Sequence, residues 1–232
     1  MHNKKNNYIC HDYKIEPPKI MIMKKSSQVF RLSAIFLLAF LLIPILVSAK
    51  RVKARPISTG GAVDLGLSVK WAACNLGAVS PADAGGLYGW GDSTGNATAA
   101  DYSFYPAIVP PATISGSKFD VARAELGAPW RLPTKREIQE LIRKCSWKWI
   151  TYKGVGGMMA TGPNGNCIFL PAAGSRSESE FFQQGEVGFY WSGTVSGQND
   201  SNAYGLSFFS GCNVPLLDSE LRFKGFSVRP VR

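Results

Sequence analysis

An α+β fold is the class this sequence predicts, with two short helices packed on short, mostly antiparallel strands. Three observations predict it. "WRLPTKREIQELIRK", from Trp130 to Lys144, spells out a helix with its own start signal. The rest of the chain beyond Ala62 breaks into short aromatic-rich apolar runs punctuated by Gly, Pro, Asn and Asp, the pattern of short strands. Both helix signals precede the main run of strand signals, a segregation that suits an α+β chain.

The elements follow in chain order. "AVDLGLSVKWAACNLG" (Ala62 to Gly77) alternates enough to predict two short strands around Gly66. "GGLYGWGD" (Gly85 to Asp92) reads as a turn-rich core strand; it lacks the strand-to-helix setting of a phosphate loop. Asn96 to Ser115 is loop, with Pro106, Pro110 and Pro111 against regular structure. A short helix is predicted over Ser117 to Gly127. Ser117 and Asp120 make an S-x-x-D cap, and Gly127 can take the left-handed C-terminal position.

The second helix opens at Thr134. Glu137 lies three residues on, the capping-box spacing in which hydroxyl and carboxylate each satisfy an orphan backbone N–H. Ile138, Leu141 and Ile142 then form one apolar stripe. "MMATGPNGNCIFLPAAG" (Met158 to Gly174) is the clearest hairpin, two apolar runs around Gly162 to Gly165. Three more strand-like stretches follow: "GFYWSGTV" near Tyr190, "NAYGLSFF" near Leu206, and "LRFKGFSVRPVR" from Leu221 to the end.

Residues 1–49 read as a leader carrying a secretory signal. Lys24, Lys25 and Arg31 precede sixteen uncharged residues, Leu32 to Val47, and Val47-Ser48-Ala49 offers cleavage after Ala49. As a helix the run reaches roughly 24 Å, short of a hydrocarbon core of roughly 30 Å. Met23-Lys24-Lys25 would itself make a compact signal start. Residues 50–61 form a tether and 62–232 one domain. The expected destination is export to the periplasm, cell surface or medium; the alternative is anchorage by an uncleaved signal segment, the one membrane contact expected.

The whole chain has 26 Lys and Arg against 16 Asp and Glu, but residues 56–232 carry 15 against 14. The basic excess belongs to the leader and "KRVKAR", so net charge gives a nucleic-acid partner no support. Beyond Cys10 of the leader, Cys74, Cys145, Cys167 and Cys212 are disulfide candidates, an even number in an exported chain. A Cys74–Cys145 bridge is the preferred pairing, with buried free thiols as the alternative.

Histidine decides most about chemistry. His2 and His11 are the only two, both in the leader, which excludes Ser-His-Asp and Cys-His catalysis and histidine-ligated metals from the domain. No catalytic residue, metal ligand or cofactor is assigned. Glu178, Glu180 and Glu186 lie in "SRSESEFFQQGEVG", which reads as a solvated loop, so a carboxylate-only glycoside hydrolase is a distant alternative. Asn199, Asp200 and Asn202 offer oxygen atoms that suit calcium, but a polar turn is the better reading. Lys135, Arg136, Arg143, Lys144 and Lys148 read as the wet side of a helix and its surroundings, with Trp147 and Trp149 closing the core. Tyr190, Trp191 and Tyr204 read as core, against the alternative of stacking on a sugar.

"AVDLGLSVKWAACNLGA", "YGWGD", "APWRLPTKREIQELI", "CSWKW", "ATGPNGNCIFLPAAG", "YWSGT" and "GFSVRPVR" resemble, in that order, the Fibrobacter succinogenes major paralogous domain, over about Ala62 to Arg232. Trp130, Arg131, Leu132, Pro133, Thr134 and Glu137 form its structural signature. The resemblance extends to formylglycine-generating enzymes and their non-catalytic relatives, and implies a C-type-lectin-like fold. The copper-binding cysteine pair of those enzymes is missing, since "GFSVRPVR" holds no cysteine. So are the Glu-Pro-Asn or Gln-Pro-Asp and Trp-Asn-Asp tripeptides of calcium-dependent lectins. The resemblance therefore implies a non-catalytic module that presents C-terminal loops to an extracellular glycan or protein. Gln198, Asn199, Asp200, Asn202 and Arg222 are the expected contacts. A surface or matrix component without a dedicated ligand site is the alternative.

Overall fold

A computed structural model of the 232-residue chain describes residues 61–94, 111–177, 180–197 and 201–232. The leader and most of the tether lie outside the described residues, as do Glu178, Gln198, Asn199 and Asp200.

Strands β1 (Ala62–Val63) and β2 (Trp71–Ala72) pair antiparallel. Between them Gly66 turns the chain at φ 74°, its N–H held 2.8 Å from Asp64 Oδ1 in a local side-chain turn. Strand β3 (Tyr88–Gly89) is short and buried, as its aromatic-glycine sequence predicts.

Helix α1 runs Val121–Leu126 and is capped by Asp120 rather than Ser117. Asp120 Oδ1 accepts from the N–H groups of Ala122 (2.9 Å) and Arg123 (3.1 Å). Its Oδ2 accepts from Gly116 (2.7 Å) and Leu132 (2.8 Å), so one buried carboxylate ties the helix start to the lead-in of the next helix. Ser117 Oγ accepts from the Phe119 N–H at 3.2 Å. Gly127 ends the helix at φ 74° and ψ 179°, a positive-φ conformation but not the left-handed one expected, its N–H bonded to Arg123 O.

Helix α2 runs Lys135–Lys144 and carries both bonds of the capping box. Thr134 N–H donates to Glu137 Oε2 at 2.7 Å, and Glu137 N–H to Thr134 Oγ1 at 3.3 Å. Arg131 clamps the same carboxylate with two bonds, 2.9 and 2.6 Å, while Leu132 enters the core. Ile138 and Leu141 are fully buried, each worth about 2 kcal/mol against exposure. Burial pushes the Glu137 carboxyl up, but bonds from Arg131 and Thr134 outweigh it and hold the group below the ordinary carboxylate range. A depressed carboxyl stabilises the fold above the ordinary value of about 4.3, and the contribution disappears as pH falls through the folded pKa. Glu137→Gln is therefore expected to cost about 2 kcal/mol in urea unfolding near neutrality. The difference from the parent should shrink between about pH 5 and about pH 3.

The remaining strands are antiparallel. A meander joins β4 (Ser146–Tyr152), β5 (Val155–Thr161) and β6 (Cys167–Pro171), the last two forming the predicted hairpin. The hairpin tip is pinned to the N-terminal turn, since the Asn164 and Asn166 amides donate to Asp64 O at 2.9 and 2.8 Å. The Trp147 and Trp149 stretch is thus strand β4, and both rings pack partly buried against the core, their expected role. β7 (Ser175–Ser177) and β8 (Glu180–Phe182) pair within the stretch expected to be a solvated loop. Aromatic Phe181 and Phe182 give it strand character despite the flanking polar residues.

β9 (Val187–Val195), β10 (Asn202–Phe209) and β11 (Leu216–Leu221) form a second three-stranded sheet. β12 (Gly225–Phe226) joins β3 and β7, so the stretch expected as one strand from Leu221 breaks at residues 222–224. The break lets the last residues turn away. Arg232 and Lys70 exchange two backbone bonds of 2.9 Å, and Val231 exchanges two with Arg131, so the chain end lies between β2 and the lead-in of α2.

Two apolar clusters fill the interior. One sets Ile138 and Leu141 against Met158, Leu170, Leu206 and Phe208; the other sets Val121 and Ala122 against Leu132, Trp191, Phe226 and Val228. Arg229, 1% exposed, sits inside with each nitrogen bonded: Nε to Asn75 Oδ1 (3.0 Å), one terminal nitrogen to Ala72 O (3.1 Å), the other to Phe169 O (2.6 Å).

The four domain cysteines are free thiols, which corrects the expected Cys74–Cys145 bridge. Cys145 caps α2 within the first cluster, where burial, followed by the nearby Glu140 charge, pushes its thiol up to about 11. It is protonated at neutral pH and acts as a small core hydrophobe.

Candidate functional site

Side chains alternate along β10, so Asn202, Tyr204, Leu206 and Phe208 share one face. Leu206 and Phe208 are buried in the cluster beneath α2. The same face runs on past the first turn of the helix, where Tyr204 and Asn202 stand half-exposed. There Lys135, the first residue of α2, brings its ammonium 3.7 Å from the centre of the Tyr204 ring. The neighbouring strand contributes Ser219 opposite Tyr204 and Leu221 opposite Asn202. The result is a small ledge where a sheet emerges from under a helix.

Several segments hold the ledge rigid. Lys135 N–H donates to Thr194 Oγ1 at 3.0 Å, fixing the helix start to β9. Ser196 N–H donates to Asn202 O at 2.9 Å and closes the base of the loop between β9 and β10. Residues 112–114 lie along β9, with Ile114 N–H to Gly193 O at 2.7 Å and Val195 N–H to Ala112 O at 3.2 Å. Gly193 permits that approach, because a Cβ there would stand 2.9 Å from Ser115 N.

The hydrogen bond from Lys135, then that with Ser196, holds the Tyr204 phenol below the ordinary tyrosine range. Asn202 Oδ1 is shut from solvent and has no hydrogen-bond donor among the described residues. The ledge therefore presents an aromatic ring, a cation and the half-exposed Ser219, a set that can hold a polar ligand, while Ser196 and the Asn202 acceptor lie beneath its surface.

Of the expected contacts, Asn202 lies on this ledge, while Gln198, Asn199 and Asp200 lie outside the described residues. Arg222 is not presented to a ligand and is corrected here. It is 5% exposed, its guanidinium carbon 5.4 Å from the Trp90 ring centre, and its backbone bonds Ser201 O and Trp90 N–H, each at 3.0 Å. Tyr190 and Trp191 are core, as read, but Tyr204 is not. Its signal was the run Asn202-Tyr204-Leu206-Phe208, whose shared face turns polar at one end. Lys135 reads from sequence as a solvated helix residue because only tertiary packing brings Tyr204 beneath it.

Glu180 and Glu186 are exposed. Among the described residues no three His, Cys, Asp or Glu side chains converge as a metal site would require, and no helix is long and apolar enough to cross a membrane. Comparison of the chain with protein-family models, with curated proteins and with solved structures finds no match.

Proposed function

We propose that this protein is an exported, non-catalytic ligand-binding module on a C-type-lectin-like scaffold, as the resemblance to the major paralogous domain implies, and that the ledge is its binding surface. The observation that carries the reading is the half-exposed ring of Tyr204 with the Lys135 ammonium 3.7 Å from its centre. The ring takes an apolar face of a bound glycan or protein loop. Lys135 and the half-exposed Ser219 supply polar partners around it.

A glycan array and an extracellular pull-down with the exported chain test this. Asn202→Ala and Tyr204→Ala are each expected to weaken the captured ligand about tenfold, or about 1.4 kcal/mol. Arg136→Ala, on the exposed side of α2, should leave binding unchanged. Binding indifferent to both ledge substitutions would remove the site. Turnover of a polysaccharide, lost on Glu186→Gln, would place the protein among hydrolases instead. An independent check is optical: Tyr204 should ionise below the buried Tyr88 and Tyr190 in an ultraviolet pH titration, and Lys135→Met should move it up.

A further inference from the structure

Val231 and Arg232 run between two other extended segments. Lys70 and Arg232 exchange two backbone bonds of 2.9 Å, and Val231 exchanges two with Arg131, at 3.0 and 2.9 Å. Residues that exchange both bonds stand directly opposite each other. Antiparallel pairing therefore sets Trp71, Val231 and Arg131 in one row, and Lys70, Arg232 and Trp130 in the next. Trp71 and Val231 are buried in the core, and successive residues point to opposite faces, so the second row faces outward. Lys70 and Arg232 are exposed and Trp130 is half-exposed. The Arg232 guanidinium carbon lies 5.1 Å from the centre of the Trp130 ring.

Two cations placed directly opposite each other across paired segments repel. The carboxylates of α2 do not relieve them. Glu140 bonds the Lys144 ammonium at 2.7 Å and the Ser68 N–H at 3.2 Å, and Glu137 is held by Arg131. Among the described residues neither Lys70 nor Arg232 has an ion-pair partner. An oxyanion seated between the two turns one repulsion into two attractions. We infer that this row is a binding subsite for an acidic polysaccharide. A carboxylate or sulfate group of the polymer lies between Lys70 and Arg232, whose planar fork matches an oxyanion. A sugar ring of the same polymer lies against the open part of the Trp130 indole.

Charge decides the class of polymer. Exposed ion pairs are individually weak, so the row suits a chain that offers the same anion many times over. A nucleic acid is held by a broad basic field, which 15 basic against 14 acidic residues over 56–232 do not provide. An anionic lipid surface is held by a larger cluster of basic residues than these two. This inference does not depend on the ledge being a ligand site.

Binding of the full chain to immobilised polygalacturonate, dextran sulfate and neutral dextran tests the assignment and separates carboxylate from sulfate. The parent should bind at least one acidic polymer, ignore dextran, and be released as salt rises. Lys70→Gln and Arg232→Gln should each weaken that binding about threefold relative to Arg143→Gln, which removes an exposed charge of the same sign from α2. Lys70→Gln should also keep or raise the thermal midpoint at low salt, because the opposed charge is gone; a residue with only a structural role would lower it. The acidic polymer should change the tryptophan fluorescence of the parent and not that of Trp130→Phe. Equal losses in all three charge variants, no binding to either acidic polymer, or binding lost only on replacing Lys53 and Arg55 would overturn the assignment. So would tighter binding, equally dependent on Lys70 and Arg232, to duplex DNA or to phosphatidylglycerol vesicles.

Discussion

Replacing Arg229 with alanine is expected to cost about 3–5 kcal/mol, the largest single effect in the domain, and lysine should not rescue it. The guanidinium is fully enclosed, and burial pulls its pKa down while the neighbouring Tyr190 and Cys74 oppose that shift. It remains charged, because arginine does not deprotonate in proteins. What tolerates the charge is geometry. Three N–H groups meet Asn75 Oδ1, Ala72 O and Phe169 O along separate directions, so β2, the turn after it, β6 and the chain end share one fastener. Alanine leaves three acceptors without donors and a cavity. Lysine brings a point charge that cannot address all three. Urea unfolding monitored by tryptophan fluorescence measures the loss, and a near-parental Arg229→Lys would refute the directional account.

Asp120→Asn and Asp120→Ala should each cost about 3 kcal/mol, although asparagine is ordinarily a good helix cap. Asp120 accepts four backbone N–H bonds through two oxygens, and an asparagine has only one. Either orientation of the amide turns its NH2 towards two N–H groups, those of Ala122 and Arg123 or those of Gly116 and Leu132. Ser117→Ala should cost under about 1 kcal/mol, since its hydroxyl serves one N–H at 3.2 Å. Thermal unfolding ranks the three variants. Amide exchange should quicken at Ala122, Arg123 and Leu132 only in the Asp120 variants. Equal costs at Ser117 and Asp120 would restore the cap read from sequence spacing.

The contrast between these two caps shows where sequence reading succeeds. Thr134 and Glu137 lie three residues apart, and the capping box they predict is present in both its bonds. Ser117 and Asp120 have the same spacing, yet Asp120 is drawn instead to Leu132, a partner that spacing does not reveal. The hairpin around Gly162 to Gly165 was legible because its turn residues and apolar runs are adjacent. The β7–β8 ribbon was not, because two aromatic residues among polar neighbours carry too little period-two pattern to outweigh a loop reading.

The candidate ledge was legible only in part. Asn202 was singled out as a polar loop residue, but Tyr204 read as core and Lys135 as solvated helix surface. Arg222 read as a loop contact, and packing against Trp90 buries it.

By itself the sequence determined the α+β class, the span of α2 and its cap, the β5–β6 hairpin and the absence of histidine beyond residue 11. Those depend on composition and on contacts within a few residues. The tertiary structure alone decided the thiol state of the cysteines, the fastening of Arg229 to Asn75 across 154 positions, and the exposed end of the β10 face. Each is set by which distant backbone group or helix end reaches a side chain, and local periodicity does not encode that.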